Sequence, residues 1–515
     1  MSDVSAVLAV DLGTTGIKVA VVTPDGRVRG MAGEVIPLQF VDEVGAEQDP
    51  HLWWAALGRC SRRSIAESGV SGGDIRLVAI TSQYTSTTAV DASGMPLGNT
   101  IMWMDGRGSR HRTPYSHDHA RFLDVHGLAP SGNDDVGHID LIRATRPEDY
   151  AAAFAFVEPM DHLAARLTGR VTASQNTMFP MLVCDNRTWG LTEYSDELIE
   201  MCGMPAEKLP PLVPLGEPRG TVTADAAAHL GVSERALVTG ATIDSVTSAI
   251  GTGAIWPDRC GFVIGTTAVM GTHMPAQRHD MAHGLTAAPS PLPQSWFLVA
   301  ENGIGGKALD VFVNNIVFPD DGLGLPVDDG AYDAVLGAAA AVPAGSNGVL
   351  FLPWLVGSMA PSRDRRHRGG FVNIGLATTR ADMARAVLEG VAMNAAWLLP
   401  YFSRLAGHEY DEITFGGGGA RSALWGQILA DACGLPVRRL AQSSCTNAHG
   451  AALLALAETG ACSFADLPSF LVTEQVHEPD DAAHRLLATR TATLVDFHVR
   501  NAPFYEGFDS KDHTP

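Results

Sequence analysis

The sequence predicts an α/β protein built of two similar domains. At 515 residues the chain is longer than a single hydrophobic core usually serves. It opens on an apolar strand, a Gly-Thr-Thr turn and a second apolar strand. These are Val7–Val10, then Asp11-Leu12-Gly13-Thr14-Thr15-Gly16-Ile17-Lys18, then Val19–Val22. The same strand, Gly-Thr-Thr, strand pattern returns at Gly261–Met270, an internal repeat at domain scale. In that second copy Gly265 matches Gly13, and Thr266-Thr267 match Thr14-Thr15. Val263 stands where Asp11 stood.

The first turn has the chemistry of a phosphate site. Gly13 and Gly16 let backbone N–H groups turn inward on an anion. Thr14 and Thr15 add hydroxyl donors, and Lys18 adds positive charge. No helix opens at these glycines, which separates the turn from the Walker and Rossmann fingerprints. Asp11 would repel a phosphate unless a divalent cation lay between them, and a Mg²⁺–nucleotide resolves that conflict. An ordinary β-hairpin with a tight turn is the plainer alternative. The repeat implies a second hydroxyl-bearing turn aimed at the same phosphate chain, against chance likeness of two short runs. Only the first copy keeps the carboxylate, so only the first would position a metal.

The remaining elements follow in order. Glu34–Phe40 reads as a strand, and Gln48-Asp49-Pro50 starts a helix whose Trp53, Trp54, Leu57 and Ile65 share one face. Arg76–Thr81 is a buried strand that delivers Ser82-Gln83-Tyr84-Thr85-Ser86 at its carboxyl end, where α/β folds place ligands. Trp103, Asp105 and Arg107 could offer a sugar a stacking face and two polar contacts. Equally, they could be a buried Trp beside a surface Asp–Arg pair. A helix ends at Gly169 as its C-cap residue, and Thr188–Met201 is helical around Leu191–Ile199. Five prolines mark a loop between Met204 and Pro218.

In the second half, Glu301–Lys307 opens a helix. Gly416–Gly419 stands between the strand Glu412–Phe415 and an amphipathic helix, so a flat ligand can lie against bare backbone there. Arg380–Leu399 is a long helix, and Gly450–Glu458 an alanine-rich one. The chain from about Phe504 reads as a polar, frayed tail.

Composition limits the partners. There are 36 Lys and Arg against 57 Asp and Glu, a net charge of −21 that argues against nucleic acid and anionic membrane. The seven cysteines form no CxxC pair and suit a reducing compartment. No signal pattern opens the chain, and the apolar run Val349–Val356 is broken by Pro353. A cytoplasmic protein acting on small molecules is the expectation.

Taken together, several stretches resemble the FGGY carbohydrate kinases, especially their xylulokinase-like members, from Val7 to about Gly460. They are Asp11–Thr15, Trp103–Arg107, Gly127–Asp134, Arg166–Gly169, Gly240–Asp244, Gly265–Thr267 and Gly416–Asp431. The resemblance implies a duplicated actin-like (ribonuclease H-like) α/β ATPase fold with a cleft between two domains. It places these at 1–245 and 246–500, with a polar tail at 501–515. It implies ATP-dependent phosphorylation of a small sugar or polyol, most simply a pentulose, and leaves room for a homodimer. By the same analogy Asp244 is the general base and Asp11 helps hold Mg²⁺. Thr14, Thr15, Lys18, Gly265, Thr266, Thr267, Gly303, Lys307, Gly417, Gly418, Gly419 and Ser422 would serve the nucleotide. Gln83, Tyr84, Thr85, Trp103 and Asp105 would face the sugar.

The chain also departs from the family. Xylulokinases typically read Gln-Met-His-Gly where this chain reads Gln83-Tyr84-Thr85-Ser86. Thr172-Ala173 replaces the usual Thr-Asp, and Gly357–Pro361 lacks the Glu-Arg found in many members. Phosphoryl transfer is therefore better indicated than D-xylulose as acceptor. An Hsp70-like ATPase shares the opening motif, but too little chain follows Gly419 for its peptide-binding domain. A non-catalytic sugar-binding regulator is the other rival, and retention of Asp11 and Asp244 argues against it. For Asp244 itself, a helix N-cap is the alternative to a base.

Overall fold

A computed structural model describes residues 6–111, 118–256, 258–319 and 330–507. Two mixed sheets of seven strands each organise them. The first holds β1 (Ala6–Gly13), β2 (Gly16–Val22), β3 (Val28–Val35), β4 (Ile75–Ser82), β5 (Gly220–Thr221), β6 (Leu237–Val238) and β7 (Thr242–Ile243). Its order is β5-β6-β4-β1-β2-β3, with β7 also paired to β4. The second holds β8 (Cys260–Ile264), β9 (Thr267–Met274), β10 (Leu285–Pro289), β11 (Trp296–Ile304), β12 (Ile413–Gly416), β13 (Val437–Leu440) and β14 (Thr473–His477). Its order is β10-β11-β9-β8-β12-β13-β14.

The two sheets repeat one plan. β1 pairs antiparallel with β2 and parallel with β4. β8 likewise pairs antiparallel with β9 and parallel with β12. Beyond the parallel neighbour, each sheet adds another parallel strand, β6 or β13, and an antiparallel edge, β5 or β14. The register places Asp11 opposite Lys18 in the first hairpin and Val263 opposite Val269 in the second.

Eight helices serve the argument: α1 (Pro50–Ser68), α2 (Pro159–Thr168), α3 (Asp244–Gly251), α4 (Gly306–Phe312), α5 (Arg380–Ala406), α6 (Ala423–Cys433), α7 (Thr446–Glu458) and α8 (Asp481–Glu506). β1 is apolar on both faces because both are covered. Leu8, Val10 and Leu12 belong to a core with Trp53 and Leu57 of α1. Val7 and Ala9 meet Ala448, Ala451, Ala452 and Ala455 of α7. The alanine-rich helix of the second half thus packs on the first sheet. It also crosses α3 at glycine contacts: a Cβ on Gly450 would lie 1.9 Å from the Thr247 carbonyl, and one on Gly251 2.2 Å from that of Thr446. Small residues are required at such a crossing.

Several sequence expectations need correction. The strand expected over 34–40 is interrupted after Val35, where Pro37 denies the ladder a donor, and only Gln39–Phe40 pairs again. The helix expected across 188–201 forms only over Asp196–Cys202, capped by Ser195. Upstream, the N–H groups of Gly190 and Leu191 turn instead onto the Gln175 amide oxygen. α5 runs through Pro400 to Ala406. The tail expected from 501 is helical as far as Glu506, within α8. Its remainder, 508–515, lies outside the described residues. The boundary drawn at 245/246 cuts through the first turn of α3.

Candidate active site

The ends of β1, β4 and β7 and the start of α3 meet at one place. β1 brings Asp11, which is buried and whose Oδ1 has no hydrogen-bond partner. Burial pushes its carboxyl up, while the Lys18 ammonium and the Asn447 amide pull it down. Asp244 is the first residue of α3, and Ile243 holds the N-cap position. Capping therefore does not explain Asp244. Burial, then the charge of Asp11, pushes its carboxyl to about 7. The Ser245 hydroxyl donates to Asp244 Oδ1 at 3.2 Å and opposes that shift. A buried carboxyl whose ionisation is made costlier by a second carboxylate is the kind of group found at sites of proton transfer or metal binding.

The orphaned Asp11 oxygen suits a Mg²⁺ ligand. Among the described residues no cluster of three or more His, Cys, Asp or Glu could cage a metal. One or two carboxylates completed by substrate phosphates and water is the usual arrangement for Mg²⁺, so the residues present fit that ion.

The loop after β4 is held in an unusual shape. Thr85 has φ of 59°, in the left-handed region. The N–H groups of Thr85 and Ser86 both reach the Glu158 carboxylate, at 3.0 and 3.2 Å. Glu158 is fully buried before α2, and burial with the neighbouring Asp135 charge drives its pKa well up. Two backbone donors on a buried acid hold the loop against its local strain. Tyr84 is half-buried, with Ser245 against its hydroxyl; burial and then the charges of Glu301 and Asp244 raise its pKa.

Trp103, Thr14 and Gln83 are linked in series. The Trp103 indole N–H donates to Thr14 Oγ1 at 2.9 Å, and Thr14 donates to Gln83 Oε1 at 2.8 Å. Gln48 Nε2 reaches the Thr14 carbonyl at 2.8 Å. The Thr14 hydroxyl is thus engaged toward the expected sugar side, whereas Thr15 is exposed. Asp105 is buried and accepts from the Ala46 N–H and from the Arg107 guanidinium, which also meets Glu47. Its oxygens brace this segment, which matches the ion-pair alternative, except that the pair is inside.

The second turn gathers the glycines. Gly265 closes its hairpin by donating to Thr267, and Gly305 and Gly306 donate to the carbonyls of Thr266 and Gly265. Gly417 has φ of 83° and donates to Thr446 Oγ1 at 3.2 Å. A Cβ on Gly417 would meet the Ile264 carbonyl at 2.5 Å, and one on Gly419 the Ile264 side chain at 2.8 Å. These two glycines let the loop lie on the end of β8. Gly418 instead faces open space, as does Gly303. The Ser422 hydroxyl caps α6 by accepting from Trp425 N–H. Lys307 pairs with Asp310 one turn along α4. Lys18 reaches across to the Ser444 carbonyl at 3.1 Å, tying the first turn to the segment before α7.

Sequence reasoning missed Glu158, Ser245, Asn447 and Glu301. Ser245 adjoins a residue already singled out. Glu301 opens the stretch already noted for Gly303 and Lys307 but was given no role, and Glu158 and Asn447 come from distant segments whose spacing does not signal the site.

The family model for the N-terminal domain of the FGGY family of carbohydrate kinases matches residues 6–251, and that for the C-terminal domain matches 260–459. The chain is similar to the xylulose kinase of Staphylococcus epidermidis, 27% identical over 93% of this chain and 94% of that protein. It is also similar to a glycerol kinase of Methylibium petroleiphilum, 29% identical over 87% of this chain and 89% of that one. Among solved structures, the ligand-bound xylulose kinase from Lactobacillus acidophilus superposes with a TM-score of 0.83 at 20% identity, covering 98% of this chain and 100% of that one. That last likeness bears on fold alone. The fold is the duplicated actin-like ATPase architecture.

Proposed function

The chain belongs to the FGGY family of carbohydrate kinases, and from that premise we propose that it phosphorylates a small uncharged ketose or polyol, with Asp244 as general base. It is an ATP-dependent sugar kinase of the xylulokinase-like kind. The carrying observation is the Asp244 carboxyl at the start of α3, raised to about 7 beside Asp11. A base poised near the working pH accepts a hydroxyl proton efficiently as the new P–O bond forms.

Asp11 is the residue suited to hold Mg²⁺, with its unpartnered Oδ1. Mg²⁺ when bound neutralises charge on the transferring phosphoryl group. Thr15, Thr266 and the open backbone at Gly303 and Gly418 are available to the nucleotide. Gln83, Tyr84 and Trp103 line the acceptor side. Domain closure would exclude water and limit wasteful hydrolysis. A cytoplasmic setting and a homodimer belong to the same proposal.

Relatives named xylulose kinase favour a pentulose. Tyr84, bulkier than the family's Met, favours an acceptor other than D-xylulose. ADP release should be measured over a panel of pentuloses, hexuloses, tetritols and glycerol. One neutral acceptor should stimulate it strongly, with D-xylulose inferior to it. D-xylulose giving the highest kcat/KM would overturn the specificity reading. No stimulation by any acceptor would favour a non-catalytic sugar-binding protein.

A further inference from the structure

Glu301 has no part in the chemistry so far, yet its position is built. It is the one exposed residue of β11, which is otherwise buried or nearly so. The pairing of β9 with β11 shifts register at this point: Ala268 faces Gly303, Val269 faces Glu301, and Asn302 is the extra residue. A bulge of this sort re-aims a side chain beside a site.

The bulge is locked on both sides. Asn302 Nδ2 donates to the carbonyls of Ala360 and Asn394 at 3.2 and 3.1 Å, and Asn394 Nδ2 returns a bond to the Asn302 carbonyl at 2.6 Å. The Ala360 N–H donates to the Glu301 carbonyl at 2.9 Å. The backbone is therefore fixed while the carboxylate is left without a hydrogen bond or ion pair among the described residues. Solvent reaches this carboxylate, yet its surroundings desolvate it enough to push its pKa up, and the Arg365 charge draws it back.

Two further groups feel the Glu301 charge. They are the Tyr84 phenol and the Asp244 carboxyl, both contributed by the N-terminal half. Arg365 is exposed and also lacks an ion pair among the described residues. It lies in the segment following Gly357–Pro361, where the chain departs from the family pattern.

We propose that Glu301 is a substrate-recognition residue of the C-terminal domain, accepting hydrogen bonds from hydroxyls of a neutral polyhydroxy acceptor remote from the hydroxyl being phosphorylated. The proposal rests on the kinase reading above and deepens it. A carboxylate is an acceptor only, with two oxygens that can take a pair of hydroxyl donors. Hydrogen bonds to a charged group are the stronger kind. An acidic sugar is disfavoured, because Asp11, Asp244 and Glu301 would all repel it. Arg365 supplies the compensating charge and a donor beside Glu301. With Tyr84 and Gln83 on one wall and Glu301 on the other, a bound acceptor bridges the domains and favours closure.

The test compares wild type with Glu301→Gln on the preferred acceptor, its analogue lacking the distal hydroxyl, a shorter polyol and the corresponding aldonate. Glu301→Gln should raise the acceptor KM by about tenfold or more, the scale of a lost hydrogen bond to a charged group. The variant should keep kcat within about threefold and leave the KM for ATP unchanged. The deoxy analogue should be a poor substrate for wild type, and the variant should discriminate less between it and the parent. The wild-type half of this measurement needs no variant to fold. Unchanged acceptor KM, an equal rise for every acceptor, or a shift confined to ATP would overturn the proposal. So would a wild type that prefers the aldonate, which would still leave a kinase. A wild type that turns over no acceptor at all would overturn the kinase reading and this inference with it.

Discussion

The turn between β1 and β2 and the turn between β8 and β9 stand on the same strand plan, yet their surroundings have diverged. In the first, Asp11 faces Lys18 across the hairpin; in the second, Val263 faces Val269. The Thr14 hydroxyl is drawn to Gln83 and Trp103, the proposed acceptor side. The second turn instead receives the Gly305–Gly306 backbone, and the glycine loop after β12 lies against Ile264. The duplicated plan holds two Gly-Thr turns, and on the proposed reading the first would serve metal and acceptor and the second the nucleotide. One carboxylate would then suffice, since Mg²⁺ is usually held by one or two carboxylates together with substrate phosphates.

The largest way to break this contrast is to remove the proposed base, Asp244. Asp244→Asn should lower acceptor-dependent kcat by about 10²–10⁴-fold, with ADP affinity unchanged. It should not destabilise the protein at pH 8. Burial and the Asp11 charge push the folded carboxyl up to about 7 from the ordinary carboxylate value of 3.8, so the folded state holds that proton more tightly than the unfolded chain. The stability lost on ionisation grows as pH rises through that interval and is complete above it. Asn carries no charge there, so melting at pH 8 should match or exceed wild type, and the difference should vanish near pH 4. Wild-type kcat/KM should likewise fall below about pH 7 as the base protonates. Near-normal turnover in a folded variant would put the base elsewhere.

Next in size is the contrast between twins. Asp11→Asn should cost about 10²-fold in turnover, the scale of one lost electrostatic contact to the transferring group. It should also raise the Mg²⁺ concentration needed for half-activation. Any residual activity should persist to lower pH, since the Asp11 charge helps raise Asp244. Val263→Thr, at the matching position, should leave turnover within about threefold and Mg²⁺ dependence untouched. Equal losses at the two positions would mean that the halves have not divided the chemistry.

Much of the duplicated strand plan was legible in the chain. The repeated Gly-Thr-Thr runs gave the duplication, since a tight turn between apolar strands needs glycine and small hydroxyl residues whatever surrounds it. The absence of a carboxylate at Val263 gave the asymmetry. Hidden were properties set by distant segments. Glu158 is separated from the loop it holds by about seventy residues, and a buried acid with two backbone donors has no spacing signature. Asp105 looked available because local sequence cannot show that the Ala46 N–H and Arg107 already fill its oxygens. The glycine loop was read as bare backbone for a ligand, but Gly417 and Gly419 are small because Ile264 is close. The correct residue types were visible there, and the reason for two of them was not.

The smallest effect sharpens the contrast most, because it asks one chemical question of both turns. Thr14→Val and Thr266→Val each remove one hydroxyl and keep the branched shape. At Thr14 the hydroxyl joins the Trp103 indole to Gln83, so its loss leaves a half-buried indole N–H without its acceptor. If Trp103 and Gln83 hold the acceptor as proposed, they would do so less firmly, and the acceptor KM should rise by about three- to tenfold, the scale of one hydrogen bond. The KM for ATP should move little. At Thr266 the side chain is exposed, and its backbone carbonyl, which accepts from Gly305 and Lys307, survives the substitution. Only a contact to the nucleotide can then be lost, so the KM for ATP should rise by a similar factor while that for the acceptor stays. A simple loss of stability would move both constants together in both variants. Opposite movements, in proteins with the same melting temperature, require the two turns to face different ligands, and parallel movements would mean that both face the nucleotide.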